Sequence, residues 1–399
     1  MTSTSIEELA RQTLALCLAG RAPEELPPAL AEDPRGDALF GILVEGLADR
    51  FEPALCDAYV RLFSHAVARA RPGADAARFA ARYQRVRPAR PVSGDPRSVF
   101  VLSRVTLGAD IAVTSVLLAA AKQRFPRADL VFVGPRKNYE LFAGDPRIGH
   151  LEIAYRRGGL RERLAAWDDL EKALAGPDSL VIDPDSRLTQ LGLLPVCPEG
   201  RYRLFESRAY GGQTSRTLPE LAAAWAFETF GVAGAKPYVA LETALRPGSH
   251  LAVSLGVGEN PAKRLPDPFE EELLRLLAST GAEIRIDKGA GGEEAARVMR
   301  AVERSGARAT FWDGSFAGFA AIIASAALYV GYDSAGQHVA AACGVPLIGI
   351  FAGFPAPRMF ERWRPSGDRS TVIRVDRPDP QETLARIRSA LASGHGSVA

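Results

Sequence analysis

Apolar positions recur at helical spacing through the first quarter of the chain, then give way to short apolar runs that alternate with amphipathic stretches. Residues 6–16 and 55–67 carry the helical pattern and predict a small all-helical domain over residues 1–96. His65 lies on one of these helices, where packing or a surface position is the expected role. Residues 85–96, with Pro88, Pro91 and Pro96 among arginines, read as a linker.

From Val99 the pattern becomes strand, loop and helix in turn, which predicts parallel sheets with crossover helices. Strands are expected at 99–102, 130–133, near Leu151, at 180–182 and near Tyr202, with helices at 111–125, 160–174 and 218–230. These form one α/β domain over 97–235. The segment 236–248, holding Pro237 and Pro247, reads as a connection. A second α/β domain follows over 249–399, with strands at 251–255, 283–286, around Thr310, and at 328–330, 347–351 and 372–375. Its helices are expected at 268–278, 293–304, 316–326, 339–343 and 380–392. Two such halves predict a cleft, with ligands beyond the carboxyl ends of the strands.

Composition narrows the function. A net charge of +2 gives no electrostatic support for nucleic-acid binding. Cys17, Cys56, Cys197 and Cys343 are far apart, without the spacing of a zinc site or a disulfide framework, which suggests a reducing, cytoplasmic setting. The first residues carry acids where a signal peptide needs bases. The longest apolar run, 319–330, is too short to span a bilayer, so membrane contact is expected to be peripheral at most, on the inner face.

Four loops at strand ends hold residues that packing alone does not explain. The loop 103–110 ends in Asp110, which reads either as a helix N-cap or as a general base. The loop 256–266 carries Gly256 and Gly258 without the third glycine of a dinucleotide fingerprint, then Glu259, Lys263 and Arg264. It runs into an expected capping box, with Asp267 as N-cap, Pro268 at N1 and Glu270 at N3. The loop 288–294 offers Glu293 and Glu294, suited to ribose hydroxyls or to the first turn of the next helix. The last, Gly331 to Gly336, opens a helix made of small residues. Helix-start N–H groups there suit phosphate, and no Asp or Glu occurs from 334 to 360; Asp333 or Ser334 acting as a plain cap is the alternative. His338 suits a neutral hydrogen-bond donor or a cation paired with phosphate. Asp183 and Asp185 have a spacing that can hold a divalent ion, but no further acid or histidine cluster accompanies them, and Asp185 could instead orient Arg187 or a substrate hydroxyl.

Together these loops resemble glycosyltransferase family 9, the heptosyltransferase-like family. Asp333, Ser334, Ala335, Gly336, Gln337 and His338, followed by Val339, Ala340 and Ala341, resemble its Asp-Ser/Thr-Gly-x-x-His-x-Ala-Ala loop, with Ala335 in place of a glycine. Lys263 to Pro266 resembles Lys-x-Trp-Pro, with Leu265 replacing the aromatic residue. Gly289 to Glu293 resembles the glycine-rich loop ending in Glu, and Leu107 to Asp110 the Ser-x-Gly-Asp loop, with Ala109 inserted before the acid. Residues 182–187 are similar to the family's acidic strand end followed by a basic residue. The likeness covers about residues 98–390.

What the resemblance implies is a GT-B fold, two Rossmann-like α/β domains facing a cleft, with the helical N-terminal domain added. The implied activity is inverting transfer of a hexosyl or heptosyl group from a nucleotide-diphosphate sugar, which is substrate rather than cofactor, to a hydroxyl acceptor in cell-envelope polysaccharide or glycoconjugate synthesis. Asp110 would be the general base. Gly258, Glu259, Lys263, Glu293, Asp333, Ser334, Ala335, Gly336, Gln337 and His338 would bind the donor without a required metal. Asp183, Asp185 and Arg187 would lie on the acceptor side, where Arg156, Arg157, Arg201, Arg203 and Arg208 suit an anionic glycolipid, polysaccharide or protein. The rival readings are a nucleotide-sugar epimerase on the same fold and a non-catalytic binding protein.

Overall fold

The computed structural model describes residues 5–258, 260–289 and 291–395. Its strands are β1 (Ser98–Leu102), β2 (Asp129–Gly134), β3 (Ile148–Glu152), β4 (Ser179–Asp183), β5 (Tyr202–Leu204), β6 (Leu251–Ser254), β7 (Ile284–Asp287), β8 (Ala309–Trp312), β9 (Leu328–Tyr332), β10 (Leu347–Phe351) and β11 (Ser370–Arg374). The first sheet has the order β3-β2-β1-β4-β5 and the second β11-β10-β9-β6-β7-β8. Every pairing in both is parallel, as with Val99 opposite both Leu130 and Leu180, and Val253 opposite Ile286 and Val330. Central strands β4, β9 and β10 are buried along their whole length, which is why they read as unbroken apolar runs rather than alternating ones.

In each sheet the strand order reverses once, between β1 and β4 in the first and between β6 and β9 in the second. Parallel sheets bind ligands outside the carboxyl ends of the strands flanking such a reversal. The segments that follow β1, β6 and β9 carry Asp110, Lys263 and Asp333, and Asp183 ends β4, so topology selects three of the four loops that the sequence had marked.

The chain divides into two compact units. One holds residues up to Thr106 together with Val116–Tyr139 and Arg147–Ala235; the other holds Leu107–Ser115, Glu140–Pro146 and the chain from Lys236 onward. In the first unit the N-terminal helices and the first sheet share one core, in which Leu39, Tyr59, Phe63 and Tyr83 join Leu102, Val181, Leu193 and Leu204. The expected linker after Val86 has no regular structure but is tied to the α/β layer: the Val92 N–H donates to Thr229 O at 2.9 Å, and Arg203 donates to Arg90 O at 3.1 Å. The core of the second unit is built from Val253, Leu273, Ile286, Val330, Ile350 and Ile387.

Local signals set many helix boundaries. Thr217 and Glu220 form a capping box before Leu218–Phe230, and Gly231, at φ 71°, ends that helix in the left-handed conformation. The box expected at Asp267 does not form. Its helix starts at Phe269 without a side-chain cap, because Asp267 turns to Arg264 while buried Glu270 receives both Arg264 and Arg297. A second departure bears on the site: the helix expected from Val339 begins four residues earlier, as Ala335–Ala342. Helix Pro357–Trp363 was not foreseen.

Candidate functional site

The second sheet's reversal point assembles a cation, a carboxylate and a helix start. The short Pro261–Lys263 turn, opened by Asn260 accepting the Ala262 N–H at 3.0 Å, delivers Lys263 to the end of β9. Its Nζ donates to Asp333 Oδ2 at 2.7 Å and to Asp333 O at 3.3 Å, and Gln337 Nε2 donates to the other carboxylate oxygen. The pair is largely sheltered, with side-chain exposures of 19% for Lys263 and 7% for Asp333. Gly353, in the loop after β10, supports this arrangement. It is left-handed at φ 67°, and a Cβ there would strike the carbonyl of Ala262 and come within 2.7 Å of Lys263 N. Sequence reading passed over Gly353; the signal available was a glycine just beyond a buried strand, inside the acid-free stretch.

Gly336, Gln337 and His338, expected on or beside a loop, form the first turn of Ala335–Ala342. Ser334 is the extended N-cap at φ −153°, but its side chain caps nothing in the helix. His338 is buried, and that burial pushes its pKa down to about 4, with Asp333 opposing and Lys263 adding to the shift. The imidazole is therefore neutral at pH 7, able to donate one hydrogen bond without repelling Lys263. Trp363 meets it edge-on with ring centroids 6.0 Å apart. Gly258 is exposed and left-handed at φ 61°, and Glu259 lies outside the described residues.

Asp110 belongs to the same compact unit as these loops. It opens a wide π-type turn, Asp110–Thr114, set between the helical segments Leu107–Ala109 and Ser115–Arg124, a local irregularity often found at functional positions. The carboxylate is fully buried, and Thr114 Oγ1 donates to its Oδ1 at 2.6 Å. Just before it, Val105 is held at φ 70°, an unusual conformation for a β-branched residue. The segment packs on the Ala335–Ala342 helix so closely that a Cβ on Gly108 would lie 3.2 Å from His338 Cδ2 and 3.3 Å from Ala335 Cα. Close approach at Ala335 is thus achieved with the glycine on the opposing segment, at Gly108.

The two glutamates of the glycine-rich loop separate. Glu293 is exposed in the first turn of Gly292–Ser305, whereas Glu294 Oε2 accepts the Val257 N–H at 3.1 Å. A Cβ on Gly256 would lie 3.1 Å from Glu294 Oε1, so Glu294 joins the loop after β6 to the helix after β7.

Asp183 and Asp185 are committed to internal structure. Asp183 accepts from Ser186 N at 2.6 Å and from the hydroxyls of Thr189 and Tyr202, both at 2.5 Å, while burial pushes its pKa upward against these bonds. Asp185, at φ 71°, is clasped by Arg208 at 2.9 and 3.0 Å. Arg201 and Arg203 donate to nearby backbone carbonyls, and Arg187 reaches Glu45 at 3.3 Å. Arg156 and Arg157 are exposed. Among the described residues no group of three or more His, Cys, Asp or Glu could hold a metal ion, and no helix is long and apolar enough to cross a membrane.

Residues 205–388 match the family model for glycosyltransferase family 9 (heptosyltransferase). Among solved structures, E. coli heptosyltransferase WaaC with ADP-2-deoxy-2-fluoro heptose is similar over 74% of this chain and 100% of its own, at 17% identity and a TM-score of 0.57. A glycosyl transferase family 9 protein from Veillonella parvula covers 76% of this chain and 90% of its own at 15% identity, with a TM-score of 0.56. E. coli ADP-heptose lps heptosyltransferase II covers 74% and 99% at 19% identity, with a TM-score of 0.51. No curated protein matches the sequence. The shared fold is the GT-B type, two α/β domains with parallel sheets, here with a helical N-terminal region added.

Proposed function

We propose, for a chain whose residues 205–388 match glycosyltransferase family 9, inverting transfer of a sugar from a nucleotide-diphosphate sugar to a hydroxyl acceptor. The family match supports a nucleotide-sugar transferase in general terms. The observation that carries the finer reading is the packing of the Asp110 segment on the helix that starts at Ala335, beside Lys263 and Asp333. A base and a diphosphate site have to be neighbours for direct displacement.

In this reading the diphosphate lies at the Ala335–Ala342 helix start, where backbone N–H groups and the helix dipole favour anions. Lys263 shares its ammonium between Asp333 and the phosphoryl oxygens, and His338 donates from its neutral ring. Asp110 removes the acceptor hydroxyl proton as that oxygen attacks the anomeric carbon. The bond from that carbon to the diphosphate oxygen breaks with inversion, and the leaving charge is met by Lys263 and the helix amides. Glu293 faces solvent and is free to turn to a ribose, while Glu294 holds the loop beneath. Arg156, Arg157 and Arg187 suit an anionic glycolipid or polysaccharide acceptor. We place the enzyme in the cytoplasm, at the inner membrane face when its acceptor is a lipid.

The donor to try first is ADP-heptose, which the name of one of the similar structures carries. Release of nucleoside diphosphate from a panel of nucleotide sugars is expected only when a hydroxyl acceptor, such as a lipopolysaccharide core fragment, is present. Conversion that proceeds equally without any acceptor would favour the epimerase reading instead.

A further inference from the structure

Ser334 occupies the N-cap of Ala335–Ala342, where a serine hydroxyl ordinarily accepts the N–H of the second or third helical residue, here Gly336 or Gln337. It does not do so. Its Oγ lies 3.2 Å from the Tyr329 hydroxyl instead. Tyr329 is fully buried on β9, and its hydroxyl lies close to Ser254 at the end of β6, between the two strands that flank the reversal point. Two glycines make room for it. A Cβ on Gly331 would lie 2.6 Å from the Tyr329 oxygen, and one on Gly336 would fall on the same atom. Neither glycine has a positive φ; at Gly336 the demand for glycine comes from the tyrosine, and at Gly331 from the tyrosine together with the Ser254 carbonyl, 2.6 Å from the same Cβ position.

We propose that Tyr329 is a positioning residue that holds the Ser334 hydroxyl off its own helix and so keeps the Gly336 and Gln337 amides open to the phosphoryl oxygens of the donor. An N-cap side chain and a bound anion compete for the same N–H groups. Without the tyrosine hydroxyl, Ser334 turns inward and caps the helix, and the diphosphate then has to displace it. A self-cap of ordinary strength weakens binding about 5-fold. The inference rests on the donor site proposed above, and its test separates the two.

The experiment is a double-mutant cycle of Tyr329→Phe and Ser334→Ala, read by calorimetric titration with ADP, UDP and GDP and by hydrogen exchange across residues 333–338 without ligand. Tyr329→Phe is expected to weaken nucleoside-diphosphate binding about 5-fold with little change in kcat, and to slow exchange in the first helical turn. In the Ser334→Ala background the same substitution should change neither. Equal costs in both backgrounds would mean that Tyr329 acts through packing alone and would overturn the inference, as would unaltered binding and exchange in Tyr329→Phe. If the wild type binds none of the three nucleotides, the donor-site reading falls, and the exchange arm alone decides whether Tyr329 restrains Ser334.

Discussion

Asp110→Asn is expected to lower sugar transfer by roughly 10²–10⁴-fold while nucleoside-diphosphate affinity stays within about 2-fold of wild type. The substitution is nearly isosteric, and the amide oxygen can still accept from Thr114 Oγ1, which donates to Asp110 Oδ1 at 2.6 Å. The wide turn and its packing on Ala335–Ala342 therefore survive, and what is lost is a basic oxygen able to take the acceptor proton. The effect belongs in kcat, because the proposed diphosphate contacts come from Lys263 and the helix start rather than from Asp110. Initial rates at saturating donor, with titration of the nucleotide, separate the two quantities. Unchanged transfer would remove Asp110 from the chemistry, and loss of nucleotide binding in step with transfer would assign it a structural role.

Deleting residues 1–86 is expected to abolish folding of the first unit rather than to release an active core. The N-terminal helices supply partners for groups buried at the carboxyl ends of β4 and β5. Tyr83 donates to Glu206 at 2.7 Å, Arg82 donates to Gly192 O at 3.0 Å, and Tyr59 donates to Gln190 O at 3.0 Å. The Arg208–Asp185 pair has side-chain exposures of only 4% and 0%, with the Arg208 guanidinium 5.0 Å from the Tyr59 ring centre. The deletion also takes Leu39, Tyr59, Phe63 and Tyr83 out of the core that they share with Leu193, Leu194 and Tyr202, each such buried side chain being worth roughly 1.5–3 kcal/mol, a sum that approaches a whole domain's stability of about 5–15 kcal/mol. Circular dichroism and thermal melting of the truncated chain check this. A soluble truncation that melts like the full chain would show the helices to be a detachable module.

Much of the architecture is legible because buried parallel strands leave unbroken apolar runs, such as Leu328 to Val330 and Leu347 to Phe351, and because proline, glycine and capping residues mark the boundaries of Leu218–Phe230. The start of the helix at Ala335 was not legible. Ser334, Ala335, Gly336 and Gln337 carry no hydrophobic period, and a helix start made of small residues looks like a loop. Asp267 and Glu270 had the right spacing for a cap, but two arginines, one of them distant in sequence, outcompeted the local bond. Gly353 and Tyr329 act through contacts with residues elsewhere in the unit or across a turn, which no periodicity reports. The same holds for the segment Leu107–Ser115, which follows β1 in the chain but packs with the second unit. Lys263, Asp333 and Asp110 could be marked in advance as residues at strand ends without an evident packing role. The Lys263–Asp333 pair and the packing of the Asp110 segment on Ala335–Ala342 come only from the fold.

The central claim is a nucleotide-diphosphate grip made by Lys263 and the Ala335–Ala342 helix start, and calorimetric titration of wild type and Lys263→Gln with ADP, UDP and GDP tests it directly. At least one nucleotide should bind the wild type, and Lys263→Gln should weaken that binding roughly 10- to 100-fold, the equivalent of a lost charged hydrogen bond of about 1.5–3 kcal/mol. Absence of binding to the wild type by all three, or binding that Lys263→Gln leaves unchanged, would contradict the account.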